Sequence, residues 1–263
     1  MIKFCSLYSG SSGNSIFIST GKTKLLIDAG LSGKKIIQAL HSIGENPMEL
    51  SAILISHEHI DHTRGVGVIS RKFNVPIYAN EKTWGMMEKE IGPVTIDNKM
   101  SFYKEKEFDI GEFNVKAFPI PHDASEPVGF NIFAGNKKIT TATDIGHMTK
   151  GILSYLEMSD LILLESNHDI EMLKIGPYPW SLKQRILGEN GHLSNEMAGK
   201  VIAYMAEKGT KRFFLGHLSK ENNFPELAYQ TVYNALSEKK IAVGADVTLE
   251  VAHRERASSI VEI

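Results

Sequence analysis

Short runs of apolar and β-branched residues alternate along this chain with stretches in which apolar positions recur every three or four residues. "IKFCSLYSG", "SIFIST" and "KLLIDAG" read as three strands, and the turn chemistry of "SGSSGN" and "TGKT" joins them into an antiparallel meander. "SGKKIIQALHSIG" places Ile36, Ile37 and Leu40 together and ends on Gly44, as an amphipathic helix does. "SAILIS" is continuous enough to be a buried strand. A helix over "GVGVISRKFN", a short strand at "PIYAN" and a helix over "EKTWGMMEKEIG" follow. The pattern then returns to strands in "KEFDIGEFNVKAFPI", "VGFNIFAGNKKITTAT" and "DLILLES", with a helical piece near Ile152 to Leu156 before the last of these. Helices near Ser181 to Leu187 and Asn195 to Glu207 precede the strand "RFFLGH"; a helix over "ELAYQTVYNALSEK" leads into strands in "IAVGADVTLEVAH" and "SSIVEI".

Two strand-rich halves, each ending in helices, predict an α/β fold in which two mixed sheets face each other with helices outside. The hairpins are too many for a single doubly wound sheet. No Pro- or Ser-rich linker divides the chain, so one domain over residues 1–263 is expected.

Composition narrows the function. A net charge of −2 leaves no basic arm that would bind nucleic acid by charge alone. The single cysteine, Cys5, allows no internal disulfide and no thiolate metal cage, which fits a reducing cytosol. No apolar run approaches the roughly 20 residues of a membrane span, and "MIKFCSLYSG" lacks a signal-peptide core, so a cytoplasmic protein with no membrane partner is expected.

The chemistry concentrates in "SHEHIDH", directly after the apolar run "AILI". A strand end is where loop side chains converge over a sheet. His57 and His59, two apart, point the same way from an extended segment, while Asp61 and His62 turn toward a neighbouring position. Four ligand-type side chains in six residues, without a thiol, suit Zn²⁺ or Mn²⁺.

This segment matches the HxHxDH signature of the metallo-β-lactamase superfamily, and the remaining family positions follow in order: Asp28 in "LLIDAG", His122 in "PIPHDA", Asp144 in "TATDIG" and His217 in "FLGHLS". The resemblance implies that superfamily's four-layer αβ/βα sandwich. It implies two divalent ions, Zn or Mn with Fe also open, one held by His57, His59 and His122 and the other by Asp61, His62 and His217, with Asp144 bridging. A hydroxide between the ions would be the nucleophile, with Asp61 orienting it as well as binding metal. Lactamases proper usually carry a cysteine near the Asp144 position, which this chain lacks, so lactam hydrolysis is not expected. Asp28, after "KLLI", suits an acceptor for the N–H of a ligand imidazole.

The tetrapeptide GHLS occurs twice, ending in Ser194 and Ser219. His192 stands before a predicted helix that Ser194 or Asn195 can cap, and a helix N-terminus with free N–H groups favours an anion. In the superfamily's phosphodiesterases a histidine followed by Ser or Thr opens a helix some twenty-odd residues before the last metal histidine. The 25-residue spacing of His192 and His217 is similar to that arrangement. His192 is therefore expected to meet a phosphate and to give up a proton.

"LLESNHDIEML" and "GPYPWSLKQRILGENGHLSN" resemble segments of the WalJ family, also called YycJ or VicX. That resemblance implies a metal-dependent DNA exonuclease working from 5′ ends, with single strands or 5′ ends as its partner and a homodimer left open. His168, after a strand, is expected to reach the substrate groove, and Tyr178, Trp180, Lys183 and Arg185 to offer stacking and phosphate contacts. The alternatives are a hydrolase of a small cyclic phosphodiester or thioester, and a binding module that has lost turnover.

Overall fold

The computed structural model describes residues 1–263. Fourteen strands form two seven-stranded sheets. The first runs in the order β14 (Val261–Glu262), β1 (Lys3–Tyr8), β2 (Ser15–Ser19), β3 (Lys24–Ile27), β4 (Ala52–Leu54), β5 (Ile77–Ala79), β6 (Lys99–Ser101). Its opening meander β1–β2–β3 is antiparallel, as the turn residues predict, and β3 to β6 are parallel. The second sheet runs β13 (Thr248–Val251), β12 (Arg212–Gly216), β11 (Leu161–Glu165), β10 (Lys137–Ala142), β9 (Val128–Ala134), β8 (Phe113–Pro119), β7 (Glu107–Ile110), with β10 to β13 parallel.

Helices α1 (Gly33–Ser42), α2 (Ile60–Thr63), α3 (Val66–Phe73) and α4 (Glu81–Ile91) belong to the first half; α5 (Lys150–Leu156), α6 (Ile170–Ile175), α7 (Trp180–Leu187), α8 (Asn195–Glu207) and α9 (Pro225–Glu238) to the second. Three apolar cores define the layers. Ile36, Leu40, Ile69 and Met87 bury helix faces against the first sheet; Phe4, Leu25, Phe130 and Leu163 fill the space between the sheets; Ile202, Phe213, Val232 and Leu236 seat α8 and α9 on the second. This is the αβ/βα sandwich of two mixed sheets that the pattern predicts.

Truncating Phe130, fully buried between the sheets, would cost about 3–5 kcal/mol.

Two local expectations are corrected. The stretch before β13 is a turn rather than strand: Asp246 N–H and Val247 N–H both bond the Ala242 carbonyl, and only Thr248–Val251 pairs with β12. The chain also does not divide cleanly into one sheet per half, because the C-terminal β14 returns to pair with β1. Helix α6 has no antecedent in the sequence pattern; Asp169 caps it through Met172 N–H. No helix is long and apolar enough to cross a membrane.

Candidate metal centre

Parallel strands bring their carboxyl ends to one rim, and that is where open α/β sheets place ligands. Asp28 follows β3, the run Ser56 to His62 follows β4, Asp144 and His217 follow β10 and β12, and Glu165 ends β11 with His168 just beyond it. His122 arrives from the end of β8. Asp28, Asp144 and His217 all adopt left-handed backbone, with φ of 59°, 60° and 57°. For a histidine that conformation is uncommon and is held by its surroundings; His217 N–H bonds the Ser9 hydroxyl at 2.8 Å. Gly30 lets the HxHxDH loop come close, since a β-carbon there would lie 1.5 Å from the Asp61 carbonyl oxygen.

Two donor clusters result. His57 Nε2 lies 3.0 Å from His59 Nδ1, and His122 Nε2 lies 3.3 Å from that same nitrogen. In the second, Asp61 Oδ2 is 3.7 Å from His62 Nε2 and 3.6 Å from His217 Nε2. Asp144 stands between them, Oδ2 at 3.3 Å from His62 Nε2 and Oδ1 at 3.8 Å from His122 Nε2. Nitrogens held about 2.0–2.1 Å from a tetrahedral ion are spaced on the order of 3.3 Å apart, close to what the first cluster shows. Asp144 Oδ2 and His217 Nε2 are buried without a hydrogen-bond partner, a cost that a cation would remove. The donor sets therefore fit divalent cations.

Outer contacts aim these rings. Asp28 Oδ2 takes His62 Nδ1 at 2.8 Å and the Ser56 hydroxyl at 2.8 Å, while Asp28 Oδ1 accepts Ser56 N–H at 2.9 Å. The Ser56 hydroxyl lies 3.0 Å from His57 Nδ1. His122 Nδ1 faces the Gly191 carbonyl at 3.2 Å. Each bond fixes which nitrogen carries the proton and leaves the other free for a metal.

Glu165, inside the segment "LLESNHDIEML" but given no role by the sequence reading, organises the other side. Its Oε1 lies 2.8 Å from His192 Nδ1 and 2.8 Å from His217 Nδ1, so one buried carboxylate oxygen joins the histidines of both GHLS copies. Its Oε2 accepts N–H groups from Ile145 at 2.8 Å and Leu193 at 3.1 Å. Burial would raise the Glu165 carboxyl, but His192 and His217 outweigh it and bring the pKa down to about 2. Burial likewise opposes charge on His217, yet Asp144, Asp61 and Glu165 push its pKa up to about 10. His62, buried against Asp28, Asp144 and Asp61, is raised well above the ordinary value for the same reason. His192 moves the same way: burial opposes its charge and Glu165 outweighs burial. The one signal for Glu165 in the sequence is a lone acid closing the all-apolar run "LILLE".

The other candidate residues fall around His192. His168 is 1 % exposed, and neither ring nitrogen has a partner. It lines a cavity of about 260 Å³ with His147, Met148, Ile170, His192 and Met197. Burial lowers its pKa to about 4, so it is neutral at physiological pH. Ser194 caps α8, its hydroxyl accepting Met197 N–H. Arg185 lines a second cavity, of about 150 Å³, with Tyr178 and His192, but its guanidinium is paired with Asp123. Lys183 is a correction: it is buried, and its ammonium donates to the Lys174 carbonyl at 2.7 Å, closing the end of α6 instead of facing a phosphate. Trp180 is exposed and lines neither cavity.

Residues 23–218 match the family described as the β-lactamase superfamily domain. The exodeoxyribonuclease WalJ of Streptococcus pneumoniae is 43 % identical over 263 residues, covering 99 % of this chain and 98 % of the relative. The exodeoxyribonuclease YycJ of Bacillus anthracis is 41 % identical over 243 residues, 92 % of each chain. Among solved structures, the metallo-β-lactamase fold protein YhfI from Bacillus subtilis superposes with a TM-score of 0.72 at 15 % identity, over 98 % of this chain and 100 % of that one, a likeness of fold.

Proposed function

This chain belongs to the metallo-β-lactamase superfamily, within its WalJ/YycJ family, and on that premise we propose that it is a metal-dependent exodeoxyribonuclease that degrades DNA from the 5′ end. The observation that carries the chemistry is the convergence of two three-donor clusters on Asp144, with His192 held at their edge by Glu165. DNA as substrate rests on the near full-length similarity to relatives named as exodeoxyribonucleases.

In this reading His57, His59 and His122 would hold one divalent ion and Asp61, His62 and His217 a second, with Asp144 between the two donor sets. Ions bound there would supply a lowered pKa for an attacking water and positive charge opposite the phosphoryl oxygens. The Asp61 carboxylate, partly exposed at the mouth of the centre, orients that water. His192 has its Nδ1 on Glu165 and a pKa raised above the ordinary value, which favours the imidazolium whose Nε2 can give a proton to the leaving oxygen. Asp28 fixes the His62 ring by accepting its Nδ1 proton. His168 and Ser194 wall one cavity beside His192, and Arg185 lines the second, which His192 also borders. Mn²⁺ or Zn²⁺ suits the all-His/Asp donors, and the substrate is a single strand or a free 5′ end in the cytoplasm.

The test is a digest of one DNA strand labelled at either end. The metal-loaded protein should release a 5′ label at once as a mononucleotide and shorten a 3′-labelled strand stepwise. Chelation should stop the reaction, Mn²⁺ or Zn²⁺ should restore it, and His59→Ala or Asp61→Ala should abolish it. DNA left intact as single strand, duplex and overhang would sink the proposal; opening of a cyclic phosphodiester by the same preparation would move the substrate to small molecules.

A further inference from the structure

The cations that sequence suggests for phosphate contact, Lys183 and Arg185, are both engaged within the protein. A different set has no carboxylate partner. On the far side of the Ser9 to Asn14 loop lies a cleft of about 500 Å³ whose walls include Lys35, Arg64 and Arg254. None of the three has a carboxylate within ion-pair distance, and Lys35 and Arg64 are exposed. Arg254 gives Nη2 to the Leu218 carbonyl at 2.9 Å, while its Nε is buried with no partner. Glu255 is the one acid lining the cleft. In a chain of net charge −2, three unpaired cations against one carboxylate make a local positive field.

The cleft is joined to the metal centre through the loop that divides them. The Asn14 amide approaches His62 Nε2 at 3.2 Å and the Ser9 hydroxyl holds His217 N–H, while Tyr8 and Ser12 of the same segment line the cleft. Arg64 stands three residues past Asp61, on the same face of the helical turn. Arg254 and Glu255 are shared with an adjoining cleft of about 320 Å³, whose wall includes Lys220 and the half-exposed ring of Phe224. Cations tracking a backbone beside an aromatic face are how single strands are held without regard to sequence.

We propose that Lys35, Arg64 and Arg254 bind the sugar-phosphate backbone of the DNA strand that continues beyond the scissile phosphate, with Phe224 offering a stacking face further along. This rests on the nuclease reading above. The track explains how a chain with no basic arm keeps hold of a shortening strand: the cations sit in one cleft instead of covering the surface.

The test uses metal-loaded wild type and the double variant Lys35→Gln/Arg64→Gln, which spares Arg254 because its bond to Leu218 supports the neighbour of His217. Three readouts are needed: hydrolysis of bis(p-nitrophenyl) phosphate, digestion of a twelve-nucleotide strand, and fluorescence-anisotropy binding of a phosphorothioate strand that resists cleavage. The small diester should be hydrolysed within about twofold of wild type, since both side chains are exposed and neither bonds a residue of the centre. KM for the strand should rise roughly tenfold, and the log–log salt dependence of strand binding should become shallower by about 0.7 for each phosphate that is no longer neutralised. Unchanged KM, affinity and salt dependence would overturn the track, and so would an equal loss on the small diester. Should wild type cleave no DNA, the nuclease reading fails and the binding readout still decides the track: weaker binding by the variant upholds it, and equal binding ends it.

Discussion

The two halves of the metal centre are built by different means. The first-sheet half comes from one continuous loop, Ser56 to His62, anchored by Asp28 one strand away, so its donors are neighbours in sequence as well as in space. The second-sheet half is drawn from four separate strand ends, and Glu165 at its middle touches His192, His217, Ile145 and Leu193 at once. One half is local geometry. The other depends on a single buried charge with partners at 20 to 52 residues' remove.

The difference is exposed most by Glu165→Gln, which keeps the volume and removes the charge. A glutamine that turns its oxygen to Ile145 and Leu193 N–H presents its NH₂ to both imidazoles, and each Nδ1 must then become an acceptor. That tautomer puts a proton on Nε2, where His217 would meet a metal. Loss of an outer partner of this kind costs about 10–100-fold in metal affinity, and loss of a general acid about 10²–10⁴-fold in rate. Elemental analysis with turnover of a small phosphodiester should show both defects in one variant.

Replacing the two GHLS histidines singly should separate those defects. His217→Ala should lower metal content, whereas His192→Ala should keep the metals and lose about 10²–10⁴-fold in turnover. Equal metal loss in the two variants would show that Glu165 carries both histidines as one unit. The corresponding change in the first half is Asp28→Asn, at a left-handed position that asparagine tolerates. It should weaken metal binding by about 10–100-fold, read by competition with a chelator, without touching His192.

The same contrast explains what sequence could reveal. The cluster from His57 to His62 is legible because the candidate ligands and their spacing lie in one segment after a visible strand. The αβ/βα layering is legible because period-2 and period-3.6 runs alternate cleanly. Glu165 is opaque because its partners come from three other loops, and a glutamate ending a strand is ordinary until those loops are placed. Lys183 misleads for the opposite reason: beside Trp180 and Arg185 it looks solvent-facing, but the turn between α6 and α7 folds it under the Lys174 carbonyl. The turn before β13 reads as strand because "IAVGADV" has β-rich composition, whereas bonds converging on the Ala242 carbonyl curl it back.

A thermal measurement distinguishes the charge economy of the ion-free protein from that of the metal-loaded one. His217 is raised to about 10 in the folded state against about 6.5 unfolded, so its stabilising contribution is complete below pH 6.5 and disappears as pH climbs toward 10. His62 and His192 shift in the same direction. Glu165, lowered to about 2, contributes above pH 4.5 and loses its contribution as pH falls through that value toward 2. Metal-free protein should therefore lose Tm between pH 6.5 and 9, where folding has to take up the proton that the unfolded imidazole has lost. Metal binding requires deprotonated donors and tightens over the same range. The Tm difference between loaded and chelated protein should widen with pH; a constant difference would mean that the imidazolium charges do not support the empty centre.

The smallest effect on activity is expected at the residue that sequence would have ranked among the contacts to phosphate. Lys183→Met keeps the aliphatic stem and deletes the ammonium that donates to the Lys174 carbonyl. Removing a charged donor from a backbone carbonyl costs about 1.5–3 kcal/mol, so Tm should fall, because the end of α6 loses its partner. The KM for single-stranded DNA should stay within about twofold of wild type, since no phosphate can reach a group folded beneath a helix end. A variant of unchanged Tm and raised KM would return Lys183 to the substrate surface. It would also mean that the α6–α7 turn opens when DNA binds, making the second half of the centre the one that rearranges and the HxHxDH loop the fixed one.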